Sequence, residues 1–323
     1  MAFKTMILVV AISLLTGCQT ASPPVKSLEV AHQGAYSIQL NHAGTAAMVG
    51  SLYHGGSYWT LSSGSAKSSE RQFDWNHKAD TLTNITSSAF TPDDDFVATS
   101  DGRTIVLWNT ATGEAGWFWN APGTIQDMAL TSGGRWAVLG MDDYTATVFD
   151  IRNGGIRHRL SHDGIVYDVS INNAGLLAAT ASGDLTAAVW NLNDGSRRYE
   201  FKHKNQVKTA ELSPSGRLLF TSALSEPGRL WDLNTGKLLR EFTNGRGHFS
   251  AVRFSDNEQQ ILTGSTSGLI QLWNTRSGEE MSRWRTTDRA QWLGGNVMVE
   301  DVAFAGSLYL ASGADGQIYY YER

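Results

Sequence analysis

The stretch VYDVSINNAGLLAATASGDLTAAVWNLNDGSRRYEF, residues 166–201, alternates apolar and polar residues and is punctuated by Asn, Gly and Asp. Alternation at period two with such punctuation signals strands and tight turns, not helix. It reads as four short strands: an alternating one, a small apolar one (LLAATAS), a tryptophan strand and a more polar outer one. The same line recurs from Ile85, Ile125, Val207 and Phe249. Two registers run through the copies. One aromatic slot holds Trp108, Phe149, Trp190, Trp231 and Trp273, spaced 41, 41, 41 and 42 residues, with Trp59 and Tyr321 filling it at spacings of 49 and 48. A large apolar residue before each first turn gives Leu40, Phe90, Leu130, Ile171, Leu212, Phe254 and Phe304. Seven units are therefore expected. Repeats of this length bury their faces only by stacking on one another.

Composition agrees with such an array. The 323 residues are 41% hydrophobic and only 18% charged, with 33 Gly and 11 Trp. A net charge of −5 without a Lys/Arg block offers no footprint for phosphate backbones, which argues against nucleic-acid binding. A single cysteine forbids an internal disulfide and a Cys-based zinc site.

The units resemble WD repeats from residue 26 to 322, most closely at LWDLNTG (230–236). Several keep that family's His before the first strand (His32, His162, His203, His248) and its Asp in the second turn (Asp101, Asp184, Asp315). Only Trp231-Asp232 keeps the literal dipeptide, and units 5 and 6 lack the turn Asp. The resemblance implies an all-β, seven-bladed β-propeller of four-stranded antiparallel blades. The last copy ends after its aromatic-slot strand, while VKSLEVAHQGAY (25–36) reads like the outer strand and entry loop of other units, such as IRHRLSHDGIVY (156–167). Residues 25–31 are thus expected to supply the missing outer strand of blade 7, closing the ring within a domain at 25–323.

Ahead of that domain, Lys4 and the apolar run MILVVAISLL (6–15) form a secretory-signal pattern, too short for a spanning helix of about 20 residues. The run ends in Leu15-Thr16-Gly17-Cys18, which resembles the lipobox of bacterial lipoproteins. By that resemblance residues 1–17 are cleaved, Cys18 carries the lipid and residues 18–24 form a tether to the membrane. Gln19, where an Asp would retain a Gram-negative lipoprotein in the inner membrane, points to the outer membrane, facing the periplasm.

His162, Ser182 and Asp184 have the residue types of a catalytic triad, yet the same types recur in register in other units, which an active site would not do. In WD repeats they join the slot tryptophan in a buried hydrogen-bonded set. The resemblance therefore implies a structural role for His162, Ser182, Asp184 and Trp190. TPDDD (91–95) sits in a turn slot and lacks calcium-loop spacing. Trp117 and Trp119, at period two on an outer strand, are expected to pack on the neighbouring blade. No cofactor, metal or catalytic motif is expected. The seventh entry loop (286–298) is about seven residues longer than its counterparts. It carries Arg289 and Trp292, types that dominate interface hot spots. Tyr53, His54, Tyr144 and Glu226 sit in second turns on the same face. These six are the candidate contacts to an unidentified protein or peptide. The function expected is a non-enzymatic interaction scaffold in the bacterial envelope, alone or within a hetero-complex. Its alternatives are an outer-membrane assembly factor, analogous to the propeller lipoprotein of the barrel-assembly machinery, and a hydrolase or lyase sited in the funnel.

Overall fold

The computed structural model describes residues 21–52, 55–62, 68–77, 82–245, 247–287 and 297–323. Among them, 28 strands form seven four-stranded antiparallel sheets, and the only helical element is one 3-10 turn, Ser132–Gly134. Blades 1 to 6 each use four consecutive strands. Blade 7 orders its strands as Lys26–Glu29, Gln317–Tyr321, Leu308–Gly313 and Val299–Ala305 from rim to axis. The closing strand pairs Lys26 with Tyr320 and Leu28 with Ile318. Hydrogen bonds extend it to 25–31: the Val25 amide donates to Tyr320 O, and the Val30 and Ala31 amides to Gly316 O. The chain end upstream is fastened as well, because Ser22 bridges to Trp284 on the outer strand of blade 6 (Glu280–Arg285).

The aromatic slot has one structural meaning in all seven blades. Each slot residue lies opposite the second residue of the second strand, from Ala47↔Trp59 through Ala178↔Trp190 to Tyr309↔Tyr321. In blades 1 to 6 the pairing to the outer strand shifts at this residue. Such a bulge raises local twist and turns the outer strand away from the axis.

There is no central core. The buried apolar side chains form seven clusters, each in the seam between two neighbouring blades. The seam between blades 7 and 1 joins Val30, Ala31 and Tyr320 to Ile38, Leu40 and Val49. A sheet has two faces to cover, and a ring lets each face bury against the next sheet. Close approach dictates small residues where a second strand meets the next blade. A Cβ on Gly50 would stand 2.1 Å from Ile85 O, and one on Gly264 2.3 Å from Val299 Cγ1.

Candidate functional site: the central channel and its entry face

Within blade 4 the Trp190 Nε1–H donates to Thr180 Oγ1 (2.9 Å), which lies 2.7 Å from His162 Nε2, while His162 Nδ1 lies 2.8 Å from Asp184 Oδ2. Burial lowers the His162 pKa against the opposing pull of Asp184, so the ring is neutral. Burial would raise Asp184, but hydrogen bonds from Thr186, the Asp163 amide and His162 outweigh it and hold the carboxylate below its usual range. A neutral ring protonated on Nδ1 then gives every group a partner: tryptophan to threonine, threonine to histidine, histidine to aspartate. Ser182 is not the connecting hydroxyl. It donates instead to Gly164 O and accepts the Asp184 amide, bracing the turn (3.2 Å each).

The arrangement recurs. Blade 2 holds His77, Thr99 and Trp108, with His77 Nδ1 3.6 Å from Asp101. Blade 5 holds His203, Thr221 and Trp231. In that blade Glu226 stands where blade 4 has Asp184. It accepts the Lys204 and Asn205 amides and the Arg229 guanidinium, and is 8% exposed. Glu226 is therefore spent inside the blade and is not a partner-facing side chain. His77 escaped the sequence reading because the loop before it is out of register. Buried and repeated, these sets hold the strands of each blade together.

The innermost strands surround a channel of about 800 Å³. Near their starts, six of the seven carry a bulge, between Ile125 and Asp127 in blade 3 for instance. The bulged residue is aimed at the channel mouth, placing Tyr36, Tyr167, Lys208 and Glu300 there. Lys208 Nζ lies 3.2 Å over the Tyr167 ring, a cation–π contact. Deeper in, Asp127 accepts the Val169 amide of the next blade (3.0 Å) and Asp168 the Ala210 amide (2.7 Å), and the two carboxyls hydrogen-bond each other. Asp301 takes the Leu40 amide, Gln39 Nε2 and Arg253 Nη2 at 2.8 to 2.9 Å, and Arg253 also reaches Asn41 O and Leu40 O. That ion pair stitches blades 6, 7 and 1 at the closure.

Burial, chiefly, pushes the other channel carboxyls up: Asp168 to about 7, Glu300 to about 7 and Glu211 to about 8, with Asp127 also well above its usual range. Asp127 and Asp168 lie close enough that the ionisation of the two is coupled. Among the described residues no three His, Cys, Asp or Glu side chains converge with metal-site geometry.

Three segments match the family model of the WD domain, G-beta repeat: residues 74–109, 155–191 and 236–274. Those three segments are similar to WD repeats. Each matched segment begins at or beside an outer strand and ends with the third strand of the next blade. One repeat thus clamps two blades, and the closing strand at 26–29 is the same offset carried around the ring. A search of curated proteins gives no match.

On the entry face of this propeller, Tyr144 is 51% exposed with φ 68°, and Leu185 of the adjacent blade is 41% exposed with φ 72°. Blades 6 and 7 put Gly268 and Gly316 at positive φ in the corresponding turns. Tyr53, His54, Arg289 and Trp292 lie outside the described residues, as does Cys18. Leu185 and the mouth residues were missed by the sequence reading, although the mouth is legible four residues before each large apolar register residue. Trp117 and Trp119 stack on Phe149 of the next blade (5.1 and 4.1 Å between centroids). The TPDDD aspartates bridge turns, Asp93 accepting the Gly133 amide and Asp94 those of His42 and Ala43.

Proposed function

We propose that this protein is a lipid-anchored, non-enzymatic scaffold of the bacterial envelope, holding a protein or peptide on its entry face and channel mouth. Tyr144 and Leu185 carry the reading. A bulky residue in the left-handed region costs about 1–2 kcal/mol against glycine. A side chain kept at that cost and left exposed beside a second one is best explained by a contact it makes. Match to the WD-repeat family supports the same use.

The anchor fits this arrangement. Ser22 hydrogen-bonds between Arg283 and Arg285, so only residues 19–21 separate a lipidated Cys18 from the rim of blade 6. That span is roughly 14 Å at full extension, which would hold the disc against its membrane. Gln19, by lipoprotein resemblance, favours the outer membrane as the one that holds it.

The test is capture from solubilised envelopes after photo-crosslinking. Tyr144→Gly and Leu185→Gly relieve backbone strain, so the folded protein persists while its contacts go. Partner capture reduced at least tenfold is the expected result, and undiminished capture by the double variant defeats the reading. Cys18→Ser is expected to move the protein out of the membrane fraction.

A second reading, a hydrolase or lyase in the channel, has one observation in its favour. The Asp127–Asp168 pair sets two coupled carboxyls, both raised chiefly by burial, side by side in the channel, a pairing suited to acid–base chemistry. Turnover of glycoside or ester substrates that vanishes in Asp127→Asn, with folding intact, would favour it over the scaffold.

A further inference from the structure

The channel contains more carboxyl groups than its cations answer. Arg253 is committed to Asp301 and two backbone carbonyls, and Lys208 to the face of Tyr167. Asp127 takes the Val169 and Met128 amides and Asp168 the Ala210 amide, and neither is paired with a cation. Glu211 and Glu300 take no hydrogen bond from any described residue. Glu211 is the more telling of the two: it lines the channel half-buried, and Arg253, the cation acting on it, is already paired with Asp301. Enclosed carboxyls stay neutral or find a cation. Here a cation has room.

We propose that the channel is a binding site for one extended organic cation, a lysine or arginine side chain of the partner that enters past Glu300 and ends near Glu211. This deepens the entry-face reading and rests on it. Glu300 and Glu211 occupy the second and fifth places of the inner strands of blades 7 and 5, on either side of blade 6, with Asp127 and Asp168 at the third. Three residues of strand span about 10 Å, so acceptors are stacked along a depth that a long, narrow side chain matches and a compact ion does not. The absence of a three-carboxylate metal geometry among the described residues points the same way. Tyr36 and Tyr167 at the mouth offer aromatic faces to the stem of such a side chain. Entry of the cation favours ionised Glu211 and Asp168 and releases their protons to solvent, so binding tightens as pH rises through 7 to 8.

The probes are blocked tripeptides, acetyl-Gly-Xaa-Gly-amide with Xaa arginine, lysine or norleucine, together with spermidine and calcium chloride, titrated calorimetrically into the whole domain. The expected result has four parts. Arginine or lysine binds and norleucine does not. Affinity rises at least threefold from pH 6.5 to 8. Heats in two buffers of different ionisation enthalpy reveal proton release. Glu211→Gln weakens binding at least tenfold while circular dichroism is unchanged. Equal binding of norleucine, an unaffected Glu211→Gln, or calcium binding tighter than the peptides would each overturn the inference. Spermidine binding that far exceeds both peptides would assign the channel to free polyamine and overturn the partner side chain. Envelope capture separates the two readings. If Glu211→Gln captures the partner undiminished while Tyr144→Gly does not, the channel inference fails and the scaffold stands. If the Tyr144→Gly, Leu185→Gly double variant is also without effect, both fail.

Discussion

At the scale of single residues, the sets that tie each blade together depend on one hydroxyl whose place the sequence alone leaves ambiguous. Thr180 and Ser182 are two apart on one strand, so they share a face, and either fits the spacing between His162 and Trp190. What decides is register. Trp190 lies opposite Ala178, so its indole reaches diagonally to Thr180 and falls short of Ser182. The two alanine variants are therefore expected to separate. Thr180→Ala strands a buried indole N–H and a buried imidazole nitrogen, at a cost of about 2–4 kcal/mol. Ser182→Ala loses only the two 3.2 Å bonds of the turn and costs about 1 kcal/mol. Denaturant midpoints with an unchanged m-value measure both, and Thr180→Ser should restore most of the loss. Equal midpoints for the two alanine variants would show that the chain from tryptophan to aspartate carries little of the blade's stability. The same reasoning explains Glu226. From sequence it looks like an exposed turn charge, yet its extra methylene lets it take the Lys204 and Asn205 amides together with Arg229.

At the scale of strands, closure of the ring was legible because it follows from phase. Copies that begin on an outer strand and end on a third strand leave one outer strand to be supplied from the other end of the chain. Residues 26–29 supply it, in register with 317–320. The blade count was legible for a similar reason, since one aromatic slot and one apolar register each recurred seven times. The site was less legible. Lumen-facing side chains are set by bulges at the inner-strand starts, and a bulge adds a residue to one strand without changing the repeat length. Tyr36, Tyr167, Lys208 and Glu300 therefore looked like ordinary alternation. Closure gives a direct expectation. Val30, 8% exposed in the seam between blades 7 and 1, would as Val30→Asp put a carboxylate into an apolar cluster, costing about 3–5 kcal/mol. Because the ring is locked there, the melting temperature should fall by about 5–15 °C, and limited proteolysis should cut first near both chain ends. Val25→Asp, at a position 58% exposed, should leave melting unchanged. A Val30→Asp protein that melts like its parent would mean the terminal strand is dispensable to the ring.

At the scale of the whole molecule, the channel makes stability fall with pH on the alkaline side, and the sign can be worked out group by group. Glu211 stands at about 8, Asp168 and Glu300 at about 7, and Asp127 is raised with them, all above the 3.8 to 4.5 of free carboxyls. A carboxyl raised by folding binds its proton more tightly in the folded state. Its contribution is complete below the unfolded pKa and is lost as pH climbs through the folded one. The histidines act in the opposite sense. Burial lowers His77, His162 and His248, and His203 to about 4, so their neutral folded forms lose stability as pH falls below 6.5. Carboxylates held low by hydrogen bonds, such as Asp94, Asp101 and Asp184, are ionised in both states above pH 6 and add no slope there. Of the channel's cations, Arg253 is locked to Asp301 and Lys208 sits at the mouth over Tyr167. Between pH 6.5 and 8.5 only the lumen carboxyls are left to act, so the melting temperature should decline across that window. Glu211→Gln removes the group with the highest of these values. It should raise the melting temperature at pH 8.5 by a few degrees, with little effect at pH 5 where the native carboxyl is already neutral. The decline should steepen at low salt, because repulsion among enclosed carboxylates is less screened. A flat profile from pH 6.5 to 8.5, or a Glu211→Gln protein that melts lower at pH 8.5, would mean these carboxyls are solvated and ionise freely in the folded ring.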